Sequence, residues 1–80
     1  MLDELKTARK VVGIKQLRKS LKGGQVACVY VAEDADPRLT DPVRAECAAL
    51  GVELVSVATM AELGRACGIS VGAAAAGRLA

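Results

Sequence analysis

The sequence contains no histidine, tryptophan or phenylalanine and only one tyrosine. Histidine is the most usual general base in enzymes and the commonest metal ligand, so its absence counts against most catalytic and metal-binding classes. We therefore predict a protein that is not an enzyme and needs no metal or cofactor. The shortage of aromatic rings also predicts a core of aliphatic side chains, mainly valine, leucine, isoleucine and alanine.

Long apolar runs are missing as well. No segment approaches the ~20 apolar residues of a membrane-spanning helix. The first ten residues, MLDELKTARK, carry two early acids and lack the apolar region of a signal peptide. The three cysteines form no Cys-x-x-Cys pair, which favours buried, reduced thiols as in cytosolic proteins. We expect a cytoplasmic protein without membrane association, a single domain over residues 1–80, and a monomer.

Charge is unevenly distributed along a chain whose net charge is only +2. Residues 1–22 contain seven Lys/Arg and two Asp/Glu, a local balance of +5. Residues 23–80 contain four Lys/Arg and seven Asp/Glu, a balance of −3. A basic first quarter on an otherwise acidic chain predicts one surface for an anionic partner.

Hydrophobic periodicity and turn residues predict helices that alternate with strands. The predicted helices cover residues 3–10 and 14–22, a segment capped by Thr40 or Asp41 that ends at Leu50, and residues 60–67, capped by Thr59. The predicted strands cover 11–12, 25–32, 52–57 and 70–79. Alternation of this kind implies crossover connections and a sheet covered on both faces. We predict an α/β fold, a three-layer α/β/α sandwich around a four-stranded mixed sheet.

The second predicted helix has a basic face beside an apolar one. At 100° per residue the basic positions fall at i, i+3, i+4 and i+7, and three apolar positions gather about 120° away. The basic residues are Lys15, Arg18, Lys19 and Lys22, and the apolar ones are Ile14, Leu17 and Leu21. A solvated face is the structural alternative. However, residues 13–25 contain no acid that could pair with these cations.

The start of this helix adds two features that favour an anionic ligand. Gly13 allows a close backbone approach, and the free N–H groups of a helix N-terminus suit phosphate. Gln16 can both donate to and accept from the edge of a base. Cations, a helix start and an amide together suit RNA or DNA better than a small anion.

Two loops carry further candidates, each with a structural alternative. Glu33, Asp34 and Asp36 could hold magnesium in a hydrolase, although we favour the alternative that these carboxylates compensate helix ends. Ile69 and Val71 follow the last helix. They either close the core or form an apolar lip on which an extruded base rests.

The chain resembles a known family in three segments, GIKQLRK (13–19), VYVAEDADPRLT (29–40) and ELGRACGISVGAAAA (62–76). In this order and spacing they resemble the L7Ae-type ribosomal protein family, and within it the small bacterial kink-turn RNA-binding proteins. The resemblance implies an α/β/α sandwich that binds kink-turns, which are sharply bent RNA helices with tandem sheared G·A pairs. The RNA could be ribosomal RNA or a structured mRNA leader.

The resemblance also implies roles for particular residues. The start of the second helix would enter the RNA major groove, with Gly13 giving the close approach, Lys15 and Gln16 facing guanine edges, and Lys19 contacting a guanine or phosphate. The resemblance places Glu33 and Asp34 beside the RNA. It also implies a loop that covers displaced bases, which corresponds to Ile69, Ser70 and Val71.

One pair departs from much of the family. Archaeal and eukaryotic members usually carry Asn-Glu where this chain has Lys15-Gln16. The lysine can still donate to guanine O6 or N7, whereas Gln16 lacks the charged acceptor of a glutamate. The pair resembles the bacterial branch.

The alternative function is an assembly factor for ribosomes or ribonucleoproteins that acts mainly through protein–protein contacts.

Overall fold

The central strand of the sheet is the aliphatic segment VACVYVA, whose β-branched residues suit a strand covered on both faces. The computed structural model describes residues 3–80, so the first two residues of the predicted domain lie outside it. In chain order the elements are α1 (Asp3–Thr7), β1 (Lys10–Val12), α2 (Ile14–Lys22), β2 (Val26–Ala32), α3 (Pro37–Leu50), β3 (Glu53–Val57), α4 (Met60–Ala66) and β4 (Ala75–Leu79).

Within residues 3–80 the strands form one four-stranded sheet in the order β1-β4-β2-β3. β2 pairs in parallel with β3, with Tyr30 opposite Val55, and antiparallel with β4, with Tyr30 opposite Ala76. β1 pairs antiparallel with β4. Strands β1, β2 and β3 therefore run in one direction and β4 in the other, which makes the sheet mixed as predicted.

The helices cover both faces of the sheet. On one face Leu5 of α1 and Leu63 of α4 pack with Tyr30 of β2. On the other, Leu17 of α2 and Val43 of α3 pack with Val29. Alternate residues of β2 thus feed two separate cores, which confirms the predicted three-layer α/β/α sandwich.

The second helix has the bounds predicted for it, Ile14–Lys22, because glycines flank a regular amphipathic segment. The first helix is shorter than predicted, since Lys10 already belongs to β1. The third helix is capped by Asp36 and begins at Pro37, four to five residues earlier than predicted. The Asp36 side chain caps it by accepting a hydrogen bond from the Arg38 N–H at 2.9 Å, and proline at the first helical position is favourable. Pro42 consequently lies inside the helix rather than in its first turn.

The last strand begins at Ala75, not at residue 70 as predicted. Residues 69–74 form a loop instead, because the Ile69 N–H bonds to the Gly64 carbonyl and the Ala73 N–H to the Met60 carbonyl. We refer to this segment as the 69–74 loop.

The three cysteines are free and buried, as expected. Burial raises the pKa of each thiol above its usual value, so the thiols remain protonated at neutral pH. Among residues 3–80, none of the helices is long and apolar enough to cross a membrane.

Candidate functional site

One edge of the sheet collects segments that are distant in the sequence. The three strands that run in the same direction all end at this edge, and β4, which runs the other way, begins there. The start of α2, the loop after β2, the start of α4 and the 69–74 loop must therefore lie side by side. Every residue predicted to contact RNA belongs to these segments or to the rest of α2.

Backbone hydrogen bonds hold these segments together. The Gly13 N–H donates to the Ala75 carbonyl at 3.0 Å, which joins the start of α2 to the start of β4. The Ala32 N–H donates to the Ala74 carbonyl at 2.9 Å, and the Glu33 N–H to the Val57 carbonyl at 2.8 Å. The edge is thus a fixed arrangement before any ligand binds.

The start of α2 is open to a ligand. Gly13 adopts φ 101° and ψ 149°, a conformation that side chains disfavour, and its carbonyl accepts from the Leu17 N–H at 3.0 Å. In the described chain no side chain caps this helix start, and its first turn holds no acid. The N–H groups of the first turn therefore remain available, next to the exposed Lys15 and Gln16.

The basic face of α2 borders a groove. The groove lies between α2 and the start of α3 and has a cavity volume of about 540 Å³. Its lining consists of Ile14, Lys15, Arg18, Lys19, Lys22 and Leu39. Leu39 is 48% exposed and was not identified from the sequence, because nothing in the α3 segment indicates that it lies beside α2. Gln16 is exposed but does not line this groove.

Arg18 differs from the three lysines of the face. Its Nε lies 2.6 Å from Glu46 Oε1 of α3, and its side chain is 43% exposed. Although residues 13–25 contain no acid, Arg18 is paired, because its acidic partner comes from another helix. Lys15, Lys19 and Lys22 are exposed and supply the positive charge directed at solvent.

The acidic loop after β2 is occupied by structural contacts. Asp34 Oδ1 accepts from the Met60 N–H at 2.7 Å, at the start of α4. Asp36 caps α3 and pairs with the Arg38 guanidinium at 2.8 Å. Hydrogen bonds from the Arg38 side chain and backbone lower the pKa of the Asp36 carboxyl. These contacts favour helix-end compensation over the magnesium alternative for two of the three carboxylates. Glu33 is exposed.

The 69–74 loop presents apolar side chains to solvent. Ile69 is 37% exposed and Val71 69% exposed, so core closure is wrong for these two residues. Ser70 between them is also exposed. Met60, 36% exposed, lies beside the loop because its carbonyl accepts from the Ala73 N–H at 3.0 Å. Sequence reasoning did not identify Met60, whose position as the first residue of α4 gave no sign of this contact.

A glycine sets how closely α4 approaches this loop. The Val71 carbonyl oxygen occupies the space that a Cβ atom on Gly64 would need. Sequence reasoning treated Gly64 only as part of a helix. Its role depends on a contact with a loop that the sequence pattern assigned to a strand.

This architecture defines a class, the small α/β/α sandwiches built on a four-stranded mixed sheet with a basic helix start at one edge. The chain belongs to the Ribosomal protein L7Ae/L30e/S12e/Gadd45 family, whose model matches residues 2–80. The predicted resemblance is thereby confirmed at the level of the family.

Known relatives extend over most of the chain. It is 48% identical over 65 residues to an RNA-binding protein of Bacillus pumilus, covering 81% of this chain and 79% of that one. It is 39% identical to the large ribosomal subunit protein eL8 of Halobacterium salinarum, covering 94% of this chain and 67% of that one. The solved structure of the Giardia lamblia 15.5kD RNA binding protein superimposes with a TM-score of 0.90 at 28% identity, covering 99% of this chain and 70% of that one.

Proposed function

We propose that this chain is a non-catalytic RNA-binding domain, spanning residues 1–80, that recognises kink-turns in structured RNA of the cytoplasm. The observation that carries the proposal is the joint presence, at one edge of the sheet, of an uncapped basic helix start and an exposed apolar loop. Relatives named as RNA-binding proteins and as a ribosomal subunit protein support it. Ribosomal RNA and structured mRNA leaders are the candidate RNAs.

The geometry of RNA favours a kinked target. In a regular A-form helix the major groove is deep and narrow, so side chains cannot read its base edges. A helix start as broad as that of α2 needs a groove that a bend has already opened. Lys15 can then donate to guanine O6 or N7, and Gln16 offers both a donor and an acceptor.

A sharp bend in RNA also displaces bases from the stack, and the apolar loop suits such bases. Aromatic rings usually receive such bases. This chain has one tyrosine, and it is buried in the core. Ile69 and Val71, in the loop that precedes β4, would supply an aliphatic surface for the same purpose.

The test is a titration against a kink-turn RNA and against a duplex of equal length without the sheared G·A pairs. We expect clearly tighter binding to the kink-turn. Lys19→Ala should weaken kink-turn binding about tenfold and reduce the slope of log K against log salt by about 1, since one cation is lost. Lys6→Ala is the matched control, because Lys6 is an exposed lysine of α1 on the opposite face of the sheet.

Equal affinities for the two RNAs would contradict kink-turn recognition and leave only electrostatic attraction. Equal effects of the two lysine substitutions would contradict the assigned surface. If neither RNA binds, an assembly factor that works through protein–protein contacts becomes the better explanation.

A further inference from the structure

The geometry points to Asp34 as a positioning residue that fixes the apolar 69–74 loop through the start of α4, rather than as an RNA contact. This inference rests on the proposed function, because the loop is the surface proposed to receive displaced bases. It also revises the role that the family resemblance implies for Asp34, a place beside the RNA.

The first link joins two loops that follow neighbouring strands. Asp34 lies just after β2, and its Oδ1 accepts from the Met60 N–H at 2.7 Å, across 26 residues of sequence. A carboxylate that accepts from a backbone N–H at a helix start forms a charge-assisted and comparatively strong hydrogen bond. Thr59 caps the same helix by accepting from the Glu62 N–H at 3.0 Å. Asp34 therefore satisfies a separate donor, one that Thr59 leaves free.

The second link joins α4 to the loop. The Met60 carbonyl accepts from the Ala73 N–H at 3.0 Å, so the residue held by Asp34 also holds the end of the loop. At the other end, the Ile69 N–H donates to the Gly64 carbonyl at 3.0 Å. Between these points, the Val71 carbonyl fits against Gly64, where a Cβ atom would collide with it. The loop consequently takes its position from α4.

Ala73 near the end of the loop is buried, but the exposed part of the loop needs support because its side chains do not provide it. Val71 is 69% exposed and Ile69 37% exposed, so burial does little to fix either residue. The backbone hydrogen bonds to Gly64 and Met60 of α4 flank these two side chains and hold the backbone that carries them. Removing the Asp34 acceptor leaves the Met60 N–H unpaired and loosens the residue on which the end of the loop depends.

A positioning role and a purely electrostatic role of Asp34 predict opposite changes in RNA affinity when Asp34 is replaced. A negative charge beside an anionic ligand weakens binding, so its removal should strengthen RNA binding if charge alone matters. A positioning role predicts weaker binding instead. Asp34→Asn is the matched control, because it removes the same charge but keeps an acceptor oxygen for the Met60 N–H.

The first measurement is amide hydrogen exchange in the protein without RNA. Asp34→Ala should accelerate exchange at Met60 and Ala73 about tenfold, the usual effect of losing a helix cap. Asp34→Asn keeps an acceptor oxygen and should restore most of the protection, and Glu33→Gln should change neither amide. Unchanged exchange at both amides in Asp34→Ala would overturn the inference. So would acceleration that extends equally to Val29 in the core, since it would indicate general destabilisation.

The second measurement is kink-turn affinity. Asp34→Ala should weaken it about tenfold with an unchanged salt slope, whereas Asp34→Asn, which loses the same charge, should remain close to wild type. Unchanged or tighter binding by Asp34→Ala would overturn the positioning role. If the wild-type chain does not discriminate the kink-turn, the proposed function fails, while the exchange measurement still decides whether Asp34 fixes the loop.

A wild-type measurement covers the case in which Asp34→Ala does not fold. A scalar coupling across the hydrogen bond between the Met60 amide nitrogen and the Asp34 carboxyl carbon should be detectable by NMR. Detection supports the first link directly, and absence of the coupling in a well-ordered sample would overturn it.

Discussion

Gly13 meets two requirements at the first residue of the proposed RNA surface. Its φ of 101° with ψ of 149° falls in a region that is almost restricted to glycine. Its backbone also links two elements, because the N–H bonds to β4 and the carbonyl accepts the first helical hydrogen bond of α2. The space around an added Cβ is empty, so the constraint comes from the backbone conformation alone.

Gly13→Ala should therefore lower the free energy of unfolding by about 1–3 kcal/mol, the usual cost of forcing a side chain into such a conformation. Urea denaturation measures this change. Gly23→Ala is the control at the other end of α2, where φ is −81° and an added Cβ would meet Gln25 side-chain atoms at an ordinary 3.5 Å. We expect the control to stay within about 0.5 kcal/mol of wild type. Equal losses for the two variants would contradict the backbone explanation.

Single residues also show where sequence reasoning reached its limit. The exposed lysines of α2 could be predicted, since helical spacing alone separates them from Leu17 and Leu21. The partners of Arg18 and Asp34 could not be, because they lie 28 and 26 residues away. Such contacts depend on the path of the whole chain, so the local charge pattern does not indicate them.

At the scale of elements, α2 is fixed to the molecule on two sides. Leu17 and Leu21 are buried against the sheet, and Arg18 pairs with Glu46 of α3. The pair lies at the side of the groove and directs the Arg18 guanidinium toward α3. We interpret Arg18 mainly as a residue that docks one helix on another, and Lys15 and Lys19 as the cations offered to RNA.

A double-mutant cycle on Arg18→Ala and Glu46→Ala should give a coupling energy of about 0.5–1 kcal/mol, because both side chains are partly exposed and solvent screens the pair. Denaturation at low and at 1 M salt measures it, and the coupling should decrease at high salt. Lys19→Ala with Glu46→Ala serves as the control and should be additive. A coupling indistinguishable from that control would contradict the docking role.

The bounds of the elements could be predicted where local signals agreed. For α2, the flanking glycines and the regular apolar spacing both indicated the same first and last residues. At α3, Asp36-Pro37 is typical of a turn and equally of a capped helix start, and the second alternative is what the Asp36 side chain stabilises. At β4, the alanine run 73–76 has no alternation of large and small residues, so the sequence did not locate the start of the strand.

At the scale of the whole molecule, topology creates the proposed surface. The start of α2 and the 69–74 loop are more than 50 residues apart, yet the Gly13 N–H reaches the Ala75 carbonyl. Two layers of helices and a mixed sheet could be predicted from alternation and burial. The meeting of these loops at one edge follows only from the strand order, with β4 inserted between β1 and β2. Local sequence does not encode that order, and the family resemblance implied only that the start of the second helix and the loop before the last strand face the same RNA.

The same topology leaves the opposite edge without these features. There the Leu79 N–H bonds to the Arg9 carbonyl and the Ala80 N–H to the Gln25 carbonyl, near the end of α2. This edge is the internal reference for any map of ligand contacts, because it belongs to the same sheet and lies at the far ends of the same strands.

A map of amide chemical shifts upon addition of kink-turn RNA shows which edge of the sheet the RNA contacts. We predict the largest changes at residues 13–19 and 69–72, on one edge of the sheet, with small changes at Gln25 and Leu79 on the other. Strongest changes at the Gln25–Leu79 edge, or along the outer face of α3, would contradict it.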